Sequence, residues 1–90
     1  MTNVDELKSK LTQENFTEVW LRTEPAGYAY DDHTHPVDTV YIVITGELVT
    51  NTGGKEATIG PGQRWDVPKN MPHSSHIGPE GCTYLTGVKM

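Results

Sequence analysis

From Phe16 to the C-terminus the chain is a succession of short runs rich in Val, Ile, Thr and Tyr, cut at close intervals by Gly and Pro. Runs of this length and composition suit pleated, half-buried strands, and the breakers between them set turns rather than helices. The spacing predicts strands over 16–23, 28–35, 39–45, 47–51, 55–59, 64–67, 73–77 and 82–89. Thr45-Gly46 and Asn51-Thr-Gly-Gly54 read as hairpin turns. Gly60-Pro-Gly62 and Gly78-Pro-Glu-Gly81 read as loop punctuation. Antiparallel strands closed on one another, so that no long edge is left bare, are the economical solution.

The first fifteen residues obey a different rule. Val4, Leu7 and Leu11 recur at helical spacing, and Asn3 stands three residues ahead of Glu6 as a capping pair. A short amphipathic helix over 3–14 is expected, packed on the outside of the sheet or against a second subunit. No repeat or linker follows, so 1–90 reads as one domain with its barrel over 16–90. At 90 residues a chain hides only about 60–65 % of its unfolded surface, so support from a bound metal or a second copy is expected.

The net charge of −5 and scattered Lys and Arg leave no basic surface to neutralise phosphates, which argues against nucleic acid and anionic membranes as partners. A lone cysteine, Cys82, cannot form an intrachain disulfide and reads as a small buried apolar residue. No signal peptide or long apolar span is evident, so a cytoplasmic location is expected.

The chemistry lies in the histidines. His33 and His35 are separated by one threonine, and in an extended strand that spacing puts both side chains on one face. His73 follows Val67-Pro-Lys-Asn-Met-Pro. With these anchors the chain resembles the cupin family. The first cupin motif maps onto Gly27, His33, His35, then Thr39 where the family carries glutamate, then Gly46. The second maps onto Gly62, Pro68, Asn70 in place of glycine, His73, and Ile77 in place of asparagine. Asparagine tolerates the left-handed backbone that such a glycine adopts.

The resemblance implies an all-β cupin jelly-roll barrel and a divalent metal (Zn, Fe, Ni, Cu or Mn) held by His33, His35 and His73. Imidazole suits all of these ions. The familiar carboxylate ligand has become Thr39. Asp38 should face away from it, and Asp38 or Glu47 would complete the shell only through a register shift; His76, three residues after His73, points to the opposite side of a regular strand unless a bulge intervenes. Three neutral ligands leave the ion fully positive and receptive to anionic or chelating molecules. In this respect the chain is similar to cupin-like thiol dioxygenases and dione-cleaving oxygenases.

If Thr39 faces inward, Tyr41 and Val43 share its face, while Val40, Ile42 and Ile44 face the other layer. Tyr41 is then either a substrate-contacting, catalytic phenol or a core tyrosine with its hydroxyl satisfied locally. Tyr28, Tyr30, Tyr84, Trp20 and Trp65 line a pocket or fill the core. Two functions stay open: a metal-dependent oxygenase, lyase or isomerase on a small anionic or chelating substrate, and a non-catalytic small-ligand-binding or sensor module. A homodimer, paired through the helix and the strand at 16–23, is the expected assembly.

Overall fold

Asn3 starts the helix by accepting a hydrogen bond from the Glu6 amide through its side-chain oxygen, at 3.1 Å. This satisfies one of the amides that the first turn leaves without a partner. The computed structural model describes residues 3–90. Helix α1 (Val4–Gln13) is followed by six strands: β1 (Glu18–Glu24), β2 (Ala29–His33), β3 (Thr39–Thr52), β4 (Lys55–Ile59), β5 (Arg64–Val67) and β6 (His73–Val88). No helix among the described residues is long and apolar enough to cross a membrane.

Two of the strands are longer than expected. Runs 39–45 and 47–51 are one strand, as are 73–77 and 82–89. Gly46 is therefore no hairpin turn, and residues 78–81 are no loop between elements. Instead the ladder between β3 and β6 slips there: Gly46 pairs with Cys82, but Leu48 pairs with Ile77. Such a slip leaves 78–81 opposite the single residue Glu47 and bends both strands. Gly46 has φ +78°, and a Cβ on it would lie 1.9 Å from the Gly81 carbonyl oxygen. Only glycine permits that crossing. The expected turn after Asn51 does form, with Gly53 and Gly54 both at positive φ and Thr52 paired to Lys55.

The bend divides an antiparallel arrangement into two four-stranded layers that share β3 and β6. One layer runs β1, the second half of β6, the first half of β3, then β5; the other runs β2, the first half of β6, the second half of β3, then β4. This is the jelly-roll architecture expected of the chain. Among the described residues the outer strands β1, β2, β4 and β5 each pair on one side, and hydrogen bonding does not join them into a seamless ring.

Strand parity sorts the core. Val40, Ile42 and Leu85 point outward from the first layer and pack with Leu11 and Phe16 beneath α1. Val43, Leu48, Ile77, Cys82 and Tyr84 point inward and pack between the layers, with Tyr41 and Trp65 against them. Arg64 ties the helix to β5, donating to both carboxylate oxygens of Glu14 at 2.8 and 2.7 Å.

Candidate metal centre

Three imidazoles converge at the mouth of the space between the layers. His33 ends β2 opposite His73, which begins β6. The ladder is irregular between Tyr30 and His33, and Thr34 and His35 lie beyond the strand end. The two histidines thus share a site by way of a strand end and a bend, not along one regular strand. That bend is pinned where the His35 carbonyl accepts from the Asn70 amide at 2.7 Å. Asn70 takes the left-handed conformation, φ 65°, in its place as the substitute for glycine.

The potential ligand atoms of His33, His35 and His73 all lie within 4.8 Å of one another. Ring centroids are 4.8, 4.2 and 4.9 Å apart for the pairs 33–35, 33–73 and 35–73. An ion held at about 2.1 Å from each nitrogen needs separations of roughly 3–3.4 Å, so the widest pair must close by somewhat over an ångström.

Hydrogen bonding sets two of the tautomers. The ring Nδ1 of His33 lies 2.6 Å from the Asp31 carbonyl, and that of His73 lies 2.9 Å from the Met71 carbonyl. A carbonyl only accepts, so both Nδ1 atoms carry the proton and both Nε2 atoms offer a lone pair. In His73, which is 2 % exposed, that Nε2 is buried without a hydrogen-bond partner among the described residues. A buried acceptor left unpaired is unfavourable by about 1–3 kcal/mol. Coordination to a cation relieves it, so the donor set fits a metal. Burial also pushes the His35 and His73 rings below the ordinary histidine value, keeping them in the neutral form that ligates.

The remaining candidates stand outside this group. Asp38 turns away and accepts from the Lys69 amide at 2.8 Å. Thr39 is buried and donates to the Val37 carbonyl at 3.3 Å. Glu47 is exposed beside Gly78. His76 is exposed on the outward face of β6. Among the described residues no carboxylate joins the three histidines.

Next to them opens a cavity of about 240 Å³ whose lining includes Tyr30, Thr39, Tyr41 and Tyr84. The Tyr41 hydroxyl is 3.4 Å from His35 Nε2, and its ring stacks on Trp65, which packs edge-on against His73. Burial pushes the Tyr41 hydroxyl up to about 12. The hydroxyls of Tyr30 and Tyr84 meet at 3.3 Å. Trp20 and Arg22 of β1 complete the rim. Arg22 was not among the residues expected from sequence; its signal was parity, since it lies two residues from Trp20 on one face of a strand.

The Cupin domain model matches residues 19–86. The chain belongs to the cupin family. This cupin is similar to a protein of unknown function from Rhizobium leguminosarum bv. viciae 3841, with 27 % identity, a TM-score of 0.72, and coverage of 78 % of this chain and 66 % of that one. It shares its fold with the DMSP lyase DddQ from Ruegeria pomeroyi DSS-3, at 23 % identity and TM-score 0.75, over 84 % of this chain and 39 % of the lyase. KdgF from Halomonas sp. matches at 16 % identity and TM-score 0.69, over 80 % of this chain and 67 % of KdgF. The cupin therefore spans under two fifths of the lyase's length and just under two thirds of the Rhizobium protein's. Among curated protein sequences, none matches significantly.

Proposed function

We propose that this cupin is a metal-dependent enzyme acting on a small anionic or chelating molecule, as an oxygenase or as a non-redox lyase or isomerase. The observation that carries the reading is the buried, unpartnered Nε2 of His73, set beside two further imidazoles in the wall of a cavity. A bound ion at His33, His35 and His73 would polarise a coordinated oxygen or bind dioxygen beside a chelated substrate. Around it, Tyr41 stays protonated at neutral pH and is placed to give a hydrogen bond or a proton to a bound molecule. Trp65 holds both the Tyr41 and His73 rings in place. Likeness to DMSP lyases and to KdgF speaks for the scaffold; the chemistry rests on the residues themselves.

Metal analysis of protein loaded in turn with Zn, Fe, Ni, Cu and Mn tests the site. One ion per chain is expected, lost in His33→Ala, His35→Ala and His73→Ala. Failure of every metal to bind stoichiometrically would remove the reading. Loaded protein is then offered small acids, thiols and diones, with and without oxygen.

The absence of a carboxylate from the ligand group favours a second reading, a non-catalytic module that binds or senses a small ligand. Ligand binding without turnover in both atmospheres is its signature. We also infer a homodimer through β1, whose outer edge is unpaired and carries the exposed Leu21. Light scattering that gave a monomer at micromolar concentration would dismiss it.

A further inference from the structure

The rim of the cavity carries a cation that the metal site does not use. Arg22 lies on β1 directly across from Tyr84 of β6, and both line the cavity with Tyr30, His33, His35 and Tyr41. The Arg22 side chain is 45 % exposed, so its guanidinium stands at the cavity rim where a solute can reach it. Its one side-chain partner among the described residues is Glu24, which takes a single bond from Nη2 at 3.2 Å. A guanidinium has five N–H donors in a fixed fork, so most of its capacity is left for something else.

We propose that Arg22 anchors a carboxylate, and that the ligand of this cavity is bifunctional, with metal-binding atoms at one end and a carboxylate at the other. The inference rests on the metal reading above and narrows its substrate class. The cavity wall supplies the complement. The hydroxyls of Tyr30, Tyr41 and Tyr84 face the same cavity; Tyr30 and Tyr84 share one hydrogen bond at 3.3 Å, which leaves one proton of that pair and the Tyr41 proton to donate. The lining thus offers one fixed positive charge and these O–H donors to an acceptor-rich anion. With a single cation in the lining, a singly charged carboxylate is matched better than a dianionic phosphate. At about 240 Å³ the space falls below the roughly 300–1,000 Å³ of drug-sized pockets, which restricts the ligand to a few heavy atoms.

Zinc-loaded protein provides the test, because zinc is redox-silent and hydroxamates chelate it. Acetohydroxamate carries the metal-binding end alone; the monohydroxamate of succinic acid carries both ends. Trp20 lines the cavity and Trp65 contacts His73, so intrinsic fluorescence follows binding. The carboxylated probe should bind the wild type at least about tenfold more tightly than acetohydroxamate, the advantage of a charge-assisted pair. Arg22→Gln should erase that preference while leaving acetohydroxamate affinity and zinc content unchanged. Glu24→Gln, which removes the competing carboxylate, should enlarge it. Retained zinc with no carboxylate preference in the wild type, or an undiminished preference in Arg22→Gln, overturns the Arg22 assignment alone. If the wild type holds none of Zn, Fe, Ni, Cu and Mn, the metal reading falls and this one with it.

Discussion

At the scale of single residues, the site depends on keeping three basic rings close together and uncharged. His73 is held by its own Nδ1 bond to Met71 and by the Trp65 edge, with Nε2 left bare in a buried position. Burial is the first cause that lowers both His73 and His35, and the charge His33 would carry adds to it. A ring whose folded value is lowered takes up its proton later than a free histidine as pH falls. Below about 6.5 the unfolded chain binds protons that the folded site resists, so apoprotein stability declines from there downward and is fully present above. Metal follows the same sign: it should remain bound through pH 6.5 and be released only below it. Metal content after dialysis at steps from pH 8 to 5 measures this, and release beginning above pH 7 would contradict it. That His33, His35 and His73 come together was legible from motif spacing, because that spacing is the one the cupin motifs carry. Arg22 was not, since a charged residue in a short strand reads as solvated, and only its pairing with Tyr84 places it at the cavity rim.

At the scale of elements, the decisive feature is the bend shared by β3 and β6. A glycine at positive φ serves a turn or a bulge equally well, so Gly46 read alone suggested a hairpin. Pairing across the sheet decides the matter, and pairing is not written in local sequence. Gly46→Ala must strain the backbone and drive a methyl into the Gly81 carbonyl. A loss of about 2–5 kcal/mol is expected from the two effects together. Urea denaturation should show a lower midpoint, whereas Gly27→Ala, where a Cβ meets nothing within 4 Å, should lose only the smaller backbone part. The helix was easier to read, because its caps and its apolar stripe are local. Its attachment has its own pH dependence. The hydrogen bonds and charge of Arg64 hold the Glu14 carboxyl below its ordinary value of 4.5. That contribution is present above pH 4.5 and fades as pH falls through and below it. Protection of the α1 amides relative to their intrinsic exchange rates should therefore fall ahead of that in β3 and β6 between pH 5 and 3. Glu14→Gln should remove that acid-induced difference; if it persists unchanged, another group governs the docking.

For the whole molecule, 90 residues must support two layers whose four outer strands are each paired on one side. A domain this small has a modest margin of stability, so any species that binds the folded state alone changes it visibly. The three histidines come from the end of β2, the bend that follows it and the start of β6. An ion held by them would tie β2 to β6 at the open mouth of the sandwich, where the ladder between them is irregular. Coordination sites of this kind exist only when the chain is folded, so binding energy becomes folding energy. With free metal at a hundred times its dissociation constant, the gain is about 2.7 kcal/mol. For a domain of this size that corresponds to a rise in melting temperature on the order of 10–20 °C. Stripping the metal with a chelator should reverse the rise without unfolding the protein at room temperature, because the cluster beneath α1 lies away from the imidazoles and the cluster between the layers is held by apolar packing that needs no ion. His73→Ala should show neither the rise nor its reversal. A melting temperature that ignores metal and chelator alike would mean that the three histidines meet for some reason other than holding an ion.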